Sequence, residues 1–228
     1  MITLADIQRS LQTADDWQKK GQPSWVQKCL NSALLGYLQL AVNEHDDPAG
    51  GVAWLESQNV GSLLQRRLDS GKILAAEVDA GRLPASGLDF RYNPLAFAHC
   101  AWCLRLFPLG EEFLLLDQRS DVVKLGTPFW NEYARGMSAL IRREAFQSAA
   151  GLKLKDLEKY WVAYVRFMEA ACTGRGLGSA LAELDQQFAL RNADKKIKQD
   201  FLQIEGSGQH PVKWDFRRHG LVTYLASR

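Results

Sequence analysis

The chain has 228 residues, 46% of them hydrophobic and 24% charged, with only seven prolines; it can bury a substantial core without staples and is too apolar to be intrinsically disordered. Its 28 Lys and Arg against 26 Asp and Glu leave a formal charge of +2, which supplies no large field to draw in nucleic acid or anionic lipid. Acidic residues outnumber basic ones up to residue 90 and the balance reverses afterwards, a weak hint of where a basic partner docks.

The start, Met1 to Asp6, has neither the cationic residues nor the apolar run of a signal peptide, and no later stretch approaches a membrane span, so a cytoplasmic location is expected. Leu4, Ile7, Leu11 and Trp17 recur at helical spacing, and Thr3 with Asp6 predicts a capping box at the head of a helix ending near Gly21. Ser24 with Gln27 marks a second start after Pro23, from which an apolar stripe runs from Val26 to Val42. Asp47-Pro48 predicts an N-cap with proline at the first helical position, opening a third helix that continues past Leu68 to Gly71. A shorter helix is expected over 72–80, and 81–92, with Pro84 and Gly87, reads as a loop.

Asn93-Pro94 repeats the cap-and-proline signal before Leu95 to Phe107, a segment apolar on nearly every side and therefore expected in the centre of the fold. Pro108 and Gly110 should end it, with a short helix from Glu111 to Asp117 and another after Thr127-Pro128. An aromatic-rich helix carries Leu157, Tyr160, Trp161, Tyr164, Val165 and Met168 to a stop near Gly174, and Leu177, Leu181, Leu184 and Phe188 carry the next. The tail from Arg191 combines a charged stretch from Asp194 to Asp200, a Gly206-Ser207-Gly208 turn and a final amphipathic piece with Leu221, Tyr224 and Leu225. Strand-type alternation and internal repeats are absent, so the expected fold is all-α: one helical domain over 1–228, an irregular bundle or array of packed helix pairs, with residues from about 191 packed back onto it.

Four constellations carry conceivable chemistry. His99-Cys100-Ala101-Trp102-Cys103 offers a C-x-x-C pair and an imidazole, but a structural zinc site needs four ligands and Cys29 and Cys172 stand alone; the segment is also the most apolar helix, so core packing is favoured, with reduced thiols, no disulfide and no metal. Gly174-Arg175-Gly176-Leu177-Gly178-Ser179 matches neither a dinucleotide fingerprint nor a Walker loop and reads as a turn between helices. Glu44, His45, Asp46 and Asp47 are dense in ligand groups but fall between helices, where such residues cap and solvate, and Glu111 and Glu112 suit a helix's first turn. The paired basic residues, such as Arg66-Arg67 and Arg142-Arg143, are dispersed, as on a solvated surface. With no nucleophile-and-base spacing anywhere, no enzyme and no cofactor are expected.

The stretch Phe188 to Lys195, then Ile204-Glu205-Gly206, and finally Pro211-Val212-Lys213-Trp214-Asp215-Phe216-Arg217 resembles the ends of helical immunity proteins of bacterial polymorphic-toxin systems, and specifically the immunity protein 49 family. The resemblance covers roughly the last 40 residues and the all-helical plan. It implies a cytoplasmic antidote that binds a cognate toxin, delivered by a contact-dependent or type VI secretion route, and blocks its active site or substrate access. Partner contacts are then expected from the acids Glu44, Asp46, Asp47, Glu111, Glu112 and Asp117. Arg191, Asp194, Trp214, Asp215 and Arg217 join charge to an aromatic anchor, either as a lock on the last segment or as interface hot spots. Two further readings stay open. One is an enzyme with a pocket lacking any signature, metal-dependent through His99, Cys100 and Cys103 or through Glu44 to Asp47; the other is a ligand-sensing scaffold whose exposed aromatics mark a homodimer interface.

Overall fold

The computed structural model describes residues 2–84, 94–118, 128–148, 159–193 and 213–228. Among them are ten α-helices and no strand, as the all-α expectation requires: α1 Leu4–Lys19, α2 Pro23–Glu44, α3 Pro48–Ser57, α4 Val60–Asp79, α5 Pro94–Cys103, α6 Phe107–Gln118, α7 Pro128–Arg142, α8 Lys159–Thr173, α9 Leu177–Ala193 and α10 Phe216–Ala226. None of the described helices is long and apolar enough to cross a membrane. The chain divides into two compact units, Met1–Ser120 with Asp200–Arg228, and Asp121–Gln199.

The first unit starts as its sequence dictates. Thr3 and Asp6 exchange the two hydrogen bonds of a capping box, satisfying two amides that the helix cannot. α1 packs along α2, and α2 packs against α3 and α4. Ala14, Val26 and Leu30 are buried at that junction, with Leu11, Trp17 and Leu63 packed around them. α5 lies between α6 and α10, and Ala96 to Cys103 are buried without exception, the central position its apolar composition predicts. In the second unit α8 packs against both α7 and α9. Its core is aromatic: Tyr164 meets Tyr133 and Tyr160 edge-on, at 5.8 and 5.1 Å between ring centres, the arrangement that ring quadrupoles favour. Gly174 and Gly176, at φ of +69° and +67°, form the turn between α8 and α9, where left-handed backbone excludes most side chains.

Several boundaries differ from expectation. The single helix from Pro48 to Leu68 is two helices, broken at Asn59, which adopts a left-handed φ of 54°; asparagine tolerates that region better than most residues. Gly71 does not end a helix but lies inside α4, because the Leu116 side chain occupies the place of its missing Cβ, 2.6 Å away. Gly110 likewise lies inside α6, against the Trp102 indole, and α5 ends earlier at a left-handed Arg105 with φ of 57°. Ser24 is not a cap either: α2 begins with Pro23 at its first turn and Gln22 as N-cap, with no side-chain hydrogen bond.

α10 reaches α5 at Gly220. A Cβ there would stand 2.5 Å from the His99 carbonyl oxygen, a backbone atom that no rotamer change can move aside. Gly220→Ala should therefore destabilise the protein by about 1–3 kcal/mol through overpacking, although alanine gains up to about 1 kcal/mol of intrinsic helix propensity. Chemical denaturation decides the sign, and a variant more stable than the parent would show that this contact does not limit α10.

Candidate partner-binding surface

The C-terminal segment meets the end of α2 through three carbonyl groups. In a helix's last turn the carbonyls run short of intrahelical donors. Here Val42 O accepts from Lys213 N at 2.8 Å, Ala41 O from Trp214 Nε1 at 3.1 Å, and Glu44 O from Lys213 Nζ at 3.2 Å. The ammonium of Lys213 also reaches Asp46 Oδ1 at 2.7 Å and places positive charge where the α2 dipole is negative. Trp214 is 4% exposed and its ring lies on Gly51 of α3, where a Cβ would meet it at 2.3 Å.

Past Trp214 the chain turns into α10. Asp215, itself buried, caps the helix by accepting from the amides of Arg217 and Arg218 at 3.1 and 3.2 Å. Arg217 is fully buried with its guanidinium 4.6 Å from the Phe216 ring. Tyr224 stacks on Trp102 at 4.0 Å and 6°, donates to Glu111, and accepts from Arg228. Trp214, Asp215 and Arg217 thus come together at one seam in the first unit. The side chain of Arg191, and Asp194 altogether, lie outside the described residues.

The acids divide by role. Glu44, Asp46 and Asp47 are exposed around the corner between α2 and α3, with Asp46 at 90% exposure of its side chain. Asp47 caps α3, accepting from Gly50 N at 2.8 Å. Asp46 is held below the ordinary carboxylate value by the hydrogen bond from Lys213 and then by its charge. Glu112 pairs with Lys72 across α6 and α4, and Glu111 is half-buried beneath Tyr224. Asp117 falls within α6, its side chain outside the described residues.

His99, Cys100 and Cys103 lie inside the core. Burial pushes the Cys100 thiol up to about 12 and raises Cys103 well above its usual range, so both are protonated at neutral pH, whereas nucleophiles and metal ligands are thiolates. Cys103 Sγ donates to Phe216 O at 3.2 Å, a further tie to α10. Among the described residues no three His, Cys, Asp or Glu side chains gather as metal ligands would. The role of Lys213 is not legible in the sequence, because nothing local marks a lysine whose amide, ammonium and neighbouring indole all serve one distant helix end.

Trp214→Ala should cost about 3–5 kcal/mol, the range for losing a buried large aromatic, and Trp214→Phe less, in denaturant titrations; a small loss for both would refute the anchoring role. The Asp46–Lys213 tie stabilises above the ordinary carboxylate value of 3.8 and fades as pH falls through the lowered one. Stability curves of parent and Asp46→Asn should therefore differ near neutral pH and converge in acid. Thiol labelling of native protein at pH 8 should spare Cys100 and Cys103, both buried, and modify the half-buried Cys29 and Cys172 first. No protein-family model, curated protein or solved structure matches this chain.

Proposed function

We propose that this chain is an immunity protein: it binds a cognate bacterial toxin, a type VI or contact-dependent effector, in the cytoplasm and neutralises it by blocking the toxin's active site or substrate access. The observation that carries the reading is the corner between α2 and α3, where Glu44, Asp46 and Asp47 face solvent on backbone fixed by the Lys213–Trp214 contacts. A charged surface that is already ordered loses little side-chain and loop entropy on association. Its charge complements a basic toxin and speeds encounter. The resemblance of the tail points the same way, since Lys213 and Trp214 in its last stretch hold this corner. A specific interface needs only about 800 Å² per partner, a small part of an accessible surface of 11532 Å².

Inhibition of this kind asks nothing of the interior, which is consistent with thiols and imidazole serving as core. Co-expression with the product of the adjacent open reading frame tests the proposal. The two proteins should co-purify as a stable complex, and growth arrested by that product should resume. Glu44→Lys should slow association more than it speeds dissociation, with a weaker dependence on salt. If neither complex nor rescue is obtained, the reading is wrong.

A further inference from the structure

Between the turn joining α1 to α2 and the middle of α4 lies a cavity of about 560 Å³, within the roughly 300–1,000 Å³ typical of ligand pockets. Its α4 wall is a ridge of residues four apart, Asp69, Ile73 and Glu77, which stack along one helical face. Pro23 and Val26 of α2 supply an apolar floor, with the side chains of Gln18 and Gln22 beside them. Ile73 is 55% exposed. The hydroxyl of Ser70, in the same lining, is buried and makes no hydrogen bond among the described residues.

The charges of this wall are unequally matched. Arg66 is engaged, its Nη2 donating to Asp15 at 2.7 Å and to Gln18 at 2.8 Å. Glu77 is engaged too, both oxygens gripped by Arg82 at 2.6 and 2.7 Å. Asp69 has only the neutral amide of Gln65, at 2.9 Å, among the described residues. Of the charged residues that line the cavity, Asp69 and Glu77 stand with Arg66, leaving one negative charge over an apolar surface. A lysine or arginine side chain suits such a place, because its stem is apolar and only its tip is charged.

We propose that this groove receives a basic segment of the bound toxin, which lays a lysine or arginine stem along Ile73, Pro23 and Val26 and sets its charge against Asp69. The inference rests on the immunity reading and adds the contact surface and the sign of the charge that fills it. An anionic occupant would meet the net negative wall. A wholly apolar one would strip water from Asp69 without replacing it, leaving a buried charge unpaired.

The test measures affinity between the adjacent open reading frame's product and three forms of this protein, the parent, Asp69→Lys and Ile73→Asp, each checked for helicity and melting temperature. Both substitutions fall at exposed positions, so the fold should survive them. Asp69→Lys should weaken the complex at least tenfold, and replacing the partner's contacting lysine or arginine by glutamate should restore most of that loss. Ile73→Asp should weaken it comparably. Parental affinity in both folded variants would overturn the groove assignment and leave the immunity reading standing; absence of any complex would overturn both.

Discussion

The last turn of α2 is where the first unit is closed. A helix of 22 residues ends with carbonyl groups that its own backbone cannot fully use, and burying such groups unpaired costs about 1–3 kcal/mol each. The chain answers this from far along its length, with one amide, one indole and one ammonium from two adjacent residues, Lys213 and Trp214. Because the three donors are covalently linked, each bond fixes the geometry of the others. The entropy of ordering a terminal segment is therefore spread over several contacts. Asp215 follows at once and caps α10, so the same short stretch ends one helix and starts another.

Close approach gives this closure its register. Trp214 fits because position 51 lacks a Cβ, and α10 fits against α5 because position 220 lacks one. Both glycines sit inside helices, where each gives up as much as about 1 kcal/mol of propensity relative to alanine. That loss is smaller than the few kcal/mol available from burying a tryptophan and stacking Tyr224 on Trp102. Packing thus outweighs local preference at both places, and the result is a tail whose position is determined at two separate points.

Much of this was legible in the residues, and the limits follow from physics. Periodicity revealed the helices, and the Thr3–Asp6 box and the Asp47-Pro48 cap were visible because their chemistry is local. The burial of His99, Cys100 and Cys103 followed from an apolar run too continuous to face water. Gly71 and Gly110 misled because a glycine that stops a helix and one that admits a neighbour's side chain look identical in sequence. The breaks at Asn59 and Arg105 were hidden because left-handed φ at a residue other than glycine is a strain tolerated by context. For the candidate surface, the duty of Asp47 as a cap is legible in the sequence, but those of the other acids are not: Asp46 and Glu112 are ion-paired, and Glu111 lies under a tyrosine.

Those duties bear on how the proposed toxin would be recognised. A carboxylate already paired with a lysine offers a newcomer little, since the new contact must replace the old one, and exposed pairs are worth at most about 1 kcal/mol. Asp46 remains useful because its partner Lys213 is fixed by backbone contacts, so its negative charge is displayed in a constant place even while paired. Asp69 differs in being held by the neutral amide of Gln65. The two acids stand near opposite ends of α2, and under the proposed reading they separate two tasks. In the proposed toxin complex, the ordered corner at α2 and α3 would set orientation and encounter, whereas the groove on α4 would supply a contact whose energy is gained only when a cation with an apolar stem enters. Under that proposal discrimination among related partners would fall to the groove, because a long-range field attracts any basic protein but only a correctly placed side chain can lie on Ile73 and reach Asp69.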